Sequence, residues 1–207
     1  MLTDYVPAEE YKKMYPFLSY ENHLVLRVCL ETGLRVGDVV ALKPCELQGQ
    51  ELHFTAQKTK KQGRAKLPAE LADKLRKIAG EQYIFSGNGK LGHRTRQAVW
   101  RDVKRASQLA GIKGNVSPHS ARKTRAVNTF RQRGFSAAQR ELQHSDPGTT
   151  MLYAFSDVIS GVYEAPQNMP LNVADLELLA EMIANKVVER LEVSRAANFA
   201  ACETLDT

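Results

Sequence analysis

Helical stretches in this chain stop at glycines, and that punctuation restricts it to a mainly helical fold. Residues 20–31 (YENHLVLRVCLE) carry apolar side chains at helical spacing and run into Gly33. Residues 69–79 stop at Gly80, the basic run 94–110 stops at Gly111, and a run from about 119 to 133 stops at Gly134. Glycine ends helices because it enters the left-handed conformation without a Cβ penalty. Ser117-Pro118 opens the last of these runs, since proline lacks only an N–H that is unpaired at a helix start. Residues 36–42 form a short helix stopped by Pro44, and Ser136 reads as the cap of another.

The residues between the second and third helices break this pattern. Residues 51–57 (ELHFTAQ) and 64–67 (RAKL) read as strands, joined by a KKQG turn containing Gly63. A first strand near residues 45–47 extends the hairpin into a small sheet, while residues 82–85 are ambiguous. Residues 156–170 form a loop with Gly161, Pro166 and Pro170. Residues 173–193 form a periodic helix with Leu176, Leu179, Ile183, Val187 and Leu191 on one face. The fold class is mainly α with a small antiparallel β-sheet (α+β).

Composition narrows the setting. Hydrophobic residues make up 43% of the 207, enough for a folded core. No apolar run approaches the ~20 residues that span a bilayer, and the N-terminus lacks the apolar stretch of a secretory signal. Cys29, Cys45 and Cys202 are far apart and form neither a disulfide framework nor a zinc motif, so a cytoplasmic location is expected. The net charge is +6, but the residues after 163 hold eight acids and three bases, so those up to 163 carry +11. A basic body with an acidic tail suits a polyanionic partner.

Phosphodiester exchange needs a particular set of groups. Negative charge grows on the phosphate oxygens in the transition state, and arginine forks meet two oxygens at once. A hydroxyl must displace one oxygen and hold the phosphoryl group, and an acid must protonate the leaving 5′ oxygen. Four segments supply that set: TGLRVGDVVAL, with Arg35 and Asp38; QKTKKQGRAKLP, with its lysines; SPHSARKTRA, with His119 and Arg122 three apart; and LQHSDPGTTMLYAF, with His144 nine residues before Tyr153.

In order and spacing these segments resemble the tyrosine recombinase (phage integrase) family, over roughly residues 24–155. That resemblance implies a catalytic-domain-like fold across 1–170, with 171–207 as a C-terminal helix and tail. It implies that Arg35 and Arg122 clamp the scissile phosphate, that His119 hydrogen-bonds the phosphate or assists proton transfer near Tyr153, and that His144 contacts a phosphate oxygen. Tyr153 attacks to leave a 3′-phosphotyrosine, and a hairpin lysine protonates the leaving oxygen. Lys58 is favoured for that role, with Lys60 as the alternative, and Asp38 supports the Arg35 segment. A tyrosine hydroxyl has a pKa near 10, so the surrounding cations are expected to favour its phenolate. Neither a metal nor a cofactor is implied. Two departures stand out. Gln143 occupies the place of the family's LGH glycine. Only about twenty residues precede the first catalytic helix, so the chain is a fragment or belongs with short recombinases such as the fimbrial inversion enzymes.

The expected activity is site-specific DNA recombination, whether integration, excision or inversion, on double-stranded DNA and away from membranes. Lys61, Arg64, Arg94, Arg96, Arg101 and Arg125 are candidate DNA contacts. A homo-oligomer, tetrameric when two sites are paired, is expected, with the 173–193 helix docking on a neighbouring protomer. The competing readings are a relaxing topoisomerase and a DNA-binding accessory or regulatory protein that retains the fold.

Overall fold

The computed structural model describes residues 3–142 together with Thr150, Tyr153, Glu177, Ala180 and Glu181. The chain divides into two compact units, Met1–Gln167 and Asn168–Thr207.

The first unit is built on seven described helices: α1 Ala8–Met14, α2 Tyr20–Thr32, α3 Val36–Val40, α4 Ala69–Ile78, α5 Arg96–Leu109, α6 Pro118–Arg133 and α7 Phe135–Leu142. Three antiparallel strands, β1 Leu47–Gln48, β2 Glu51–Thr55 and β3 Gln62–Lys66, lie in the order β1-β2-β3. The expected α+β class is the observed one. Helix α2 is central because nearly every turn carries an apolar side chain. Leu24, Val25, Leu26, Val28 and Cys29 are all fully buried, and α3, α4, α5 and α6 pack around it.

Local chemistry moves several expected boundaries. Helix α5 starts at Arg96, because Thr95 caps it by accepting from the Ala98 N–H at 3.1 Å. Helix α7 starts at Phe135, so Ser136 lies in its first turn and does not cap it. Gly63 is not in the hairpin turn: it pairs with Phe54, and Leu52 pairs with Ala65. That register buries Leu52 and Phe54 and pushes the turn back to residues 56–61, closed by Lys60 N–H to Ala56 O at 2.8 Å. Lys60 takes the left-handed conformation there, at φ 57°. Residues 82–85 form no strand; a single bridge joins Ser86 to His93.

Helix α1 was not foreseen. Pro7 precedes it, with Glu9 and Glu10 in its first turn and Lys12 and Lys13 in its last, as the helix dipole favours. The segment before it crosses α6: Lys123 Nζ donates to Thr3 O, and Thr124 Oγ1 donates to Val6 O at 2.6 Å.

In the second unit, Glu177, Ala180 and Glu181 are helical and exposed. The rest of the expected 173–193 helix, the 156–170 loop and His144 lie outside the described residues.

Candidate active site

Arg35 is placed by the turn that ends α2. Gly33, at φ 68°, donates its N–H to Cys29 O at 2.8 Å. The conformation suits glycine, and a Cβ would also come within 2.8 Å of the Leu142 side chain. Thr32 Oγ1 donates to Val28 O at 2.7 Å and accepts from Leu34 N–H at 3.1 Å, which fixes the exit from the helix. Arg35 follows as the half-buried residue that precedes α3.

His119 and Arg122 sit in the first turns of α6. Ser117 Oγ accepts from the His119 N–H at 3.1 Å, and Ser120 Oγ accepts from the Ser117 N–H at 3.1 Å, so the helix start is doubly capped. Arg122 is only 3% exposed. It donates through Nη1 to Gly33 O and through Nη2 to Leu142 O at 2.6 Å. Its Nε finds no hydrogen-bond partner among the described residues. Burial, and then the charge of Arg35, lower its pKa to about 10, so it stays cationic at neutral pH.

Lys58 reaches the same place through Asp38. This buried carboxylate, in the first turn of α3, accepts from the Gln57 N–H at 3.0 Å through Oδ1 and so latches the hairpin turn beside Lys58. Its Oδ2 has no partner among the described residues. An open cleft of about 500 Å³ is lined by Arg35, Asp38, Lys58, Arg96, His119 and Arg122. Lys60 is not in that lining. The two lysines lie in a turn, not a strand, so the two-residue period of strands does not put them on one face.

Tyr153 meets this cleft through His119. Its Oη is hydrogen-bonded to His119 Nε2, and the rings meet edge to face with centroids 5.4 Å apart. Crowding by protein lowers the His119 pKa, and the charges of Arg122, Lys123 and Arg35 add to the effect. The residue keeps an exposed edge that water still reaches. Tyr153 goes the other way. Burial raises its pKa, and the lowering by Arg122 and Arg35 does not offset this. The free protein therefore holds a protonated phenol against a neutral imidazole. Arg122 and Arg35 favour the phenolate, as expected, but burial outweighs them in the free protein.

The candidate DNA contacts divide by surroundings. Lys61, Arg64, Arg96 and Arg101 are exposed. Arg96 stands at the cleft, packed over Gly37, where a Cβ would lie 3.0 Å from its Cδ. Arg94 donates through Nε to Asn22 Oδ1 at 2.6 Å and pairs with Glu21 at 3.6 Å. Arg125 donates through Nε to Glu141. The Asp38–Gln57 latch, the carbonyl partners of Arg122 and the position of Arg96 in the cleft are contacts between distant segments, and no local pattern announced them. Among the described residues, no cluster of three or more His, Cys, Asp or Glu side chains could hold a metal ion, and no helix is long and apolar enough to cross a membrane.

Residues 4–158 match the profile of the phage integrase family. Over 143 residues the chain is 30% identical to the tyrosine recombinase XerD of Rhizobium meliloti (strain 1021), covering 63% of this chain and 46% of that protein. It thus spans about half the length of that relative. A lambda integrase dimer bound to a COC′ core site superposes with a TM-score of 0.68 at 20% identity, covering 82% of this chain and 52% of that one. A lambda integrase tetramer bound to a Holliday junction gives 0.65 at 19% identity, covering 83% and 52%. At these identities the likeness to the two solved structures establishes the fold.

Proposed function

This chain belongs to the phage integrase family, and from that premise we propose that it is a site-specific DNA recombinase acting through a covalent 3′-phosphotyrosine. The observation that carries the proposal is the hydrogen bond from the Tyr153 phenol to His119, at the edge of a cleft lined by Arg35, Lys58, Arg96 and Arg122. In the first step Tyr153 Oη attacks the phosphorus, a P–O bond to tyrosine forms, and the P–O5′ bond breaks. Neutral His119 accepts the phenolic proton through Nε2. Lys58 gives a proton to the leaving O5′. Arg35 and Arg122 stabilise the charge on the non-bridging oxygens, and His144 adds a donor from its segment. Rejoining reverses each transfer, with a 5′ hydroxyl as nucleophile. The DNA contacts we favour are Lys61, Arg64, Arg96 and Arg101, the exposed cations. The acting species is a homo-oligomer on double-stranded DNA, tetrameric on paired sites, working in the cytoplasm. The exchange so catalysed is integration, excision or inversion, depending on how two sites are arranged.

The test is covalent capture. A library of nicked duplexes with randomised cores is incubated with the full chain, and the DNA carried by denatured protein is sequenced. Enrichment of a defined core linked through Tyr153 is the expected result. Binding with no covalent product from any member would overturn the reading and favour an accessory DNA-binding role.

A further inference from the structure

Glu141 lies next to the end of α7 with its side chain only 16% exposed. It accepts from Arg125 through Oε1, and through Oε2 from Arg133 Nη2 at 2.8 Å and Thr129 Oγ1 at 3.3 Å. The three donors stand four residues apart on α6 and so share one face of it. Half-buried carboxylates with several charge-assisted donors hold their geometry well. The next residue, Leu142, accepts from Arg122 Nη2 at 2.6 Å through its carbonyl. One peptide unit therefore joins the clamp to the catalytic guanidinium.

We propose that Glu141 is a positioning residue for strand cleavage. By pinning the end of α7 to α6 through Arg125 and Arg133, it fixes the Leu142 carbonyl and hence the Arg122 fork that meets the phosphate. This rests on the reading of the cleft as the cleavage site. It also reassigns Arg125, which sits in the basic run beside His119 and Arg122, from a phosphate contact to an internal strut.

The experiment uses the full chain as wild type, Glu141→Gln, Arg125→Leu and the double variant Arg125→Leu/Glu141→Leu, with Arg64→Ala for comparison. Three quantities are measured: the rate of covalent adduct formation at saturating captured-core DNA, the salt dependence of affinity for a random duplex, and the melting temperature. Glu141→Gln and Arg125→Leu should slow adduct formation by roughly 10- to 100-fold, the scale on which a displacement of about 1 Å costs rate. Their salt slopes should match wild type, whereas Arg64→Ala should lose about 0.9 from its slope, one phosphate contact. The double variant should be no slower than the slower single variant, because both substitutions remove the same pin. Wild-type cleavage by Glu141→Gln, or a slope lowered by about one in Arg125→Leu at unchanged rate, overturns the inference. If a single variant fails to melt cooperatively, the double variant decides: slow cleavage in a folded double variant supports the clamp, and wild-type cleavage without the clamp overturns the inference. If wild type itself forms no adduct, the reading of the cleft falls and the inference with it. Wild-type adduct with unaffected variants removes the inference alone.

Discussion

At the scale of single residues, two arginines with the same chemical task differ in what else they hold. Arg122 is buried and satisfies the carbonyls of Gly33 and Leu142, whereas Arg35 is half-buried at the mouth of the cleft. Removing either should slow adduct formation by ~100-fold or more, the cost of one transition-state donor. Only Arg122→Ala should also unfold more easily, by about 2 kcal/mol or more, because it strands two buried carbonyls. Equal stability losses in urea melts of the two variants would contradict that division. Tyr153→Phe should abolish the adduct and keep DNA affinity in a gel-shift titration; an undiminished adduct excludes Tyr153 as nucleophile. His119 gives a pH test. Its folded pKa is held below the ordinary 6.5. The folded protein thus binds fewer protons than the unfolded chain as pH falls through that value, so the residue's contribution to stability is present above about pH 6.5 and is lost at lower pH. An NMR titration of the free protein should find the ring neutral at pH 6. A midpoint at the ordinary value would show that the ring is solvated and not held against Tyr153.

At the scale of elements, the sequence disclosed most where a single residue decides the geometry. Gly33, Gly134 and Ser117-Pro118 end or start helices by local chemistry, and α2 and α6 fall where those signals put them. The hairpin went differently. Gly63 attracted the turn by its conformational freedom, yet burial of Leu52 and Phe54 sets the register and leaves the left-handed position to Lys60. That shift is why we propose Lys58 over Lys60 as the acid: the Asp38 latch on Gln57 sits beside Lys58, which lines the cleft. Arg35, His119, Arg122 and Tyr153 were singled out by order, spacing and resemblance, and the hairpin left Lys58 and Lys60 open; the supports of these side chains were not legible. Arg122 meets Gly33 and Leu142 across 89 and 20 residues of chain. The latch predicts a chemical rescue. A substrate with sulfur in place of the 5′ bridging oxygen needs no proton on departure, so it should restore cleavage in Lys58→Ala and much of it in Asp38→Ala. Lys60→Ala should need no rescue. Persistent loss in Lys58→Ala on the sulfur substrate would place the acid elsewhere.

At the scale of the whole molecule, charge and apolar pattern separate binding from assembly. The residues up to 163 carry +11 and those beyond −5. With a net of −5 the acidic stretch is poorly suited to phosphate neutralisation, and we propose a protein surface as its partner. Its sequence carries Leu176, Leu179, Ile183, Val187 and Leu191 at helical spacing, a stripe that water alone does not stabilise. Docking of that stripe on a neighbouring protomer, acid against basic body, would make assembly on paired sites depend on the same chain that cleaves them. Two charges placed in the stripe, Leu179→Asp with Ile183→Asp, should then leave affinity for one captured core within about twofold, because neither position is among the candidate phosphate contacts that supply that affinity. The four-protomer complex on paired cores, sized by light scattering, should be lost, and recombination with it. The outcome that contradicts this is a double-Asp variant that still assembles four protomers on paired cores; the stripe would then belong to packing within one chain, and assembly would have to come from the catalytic unit.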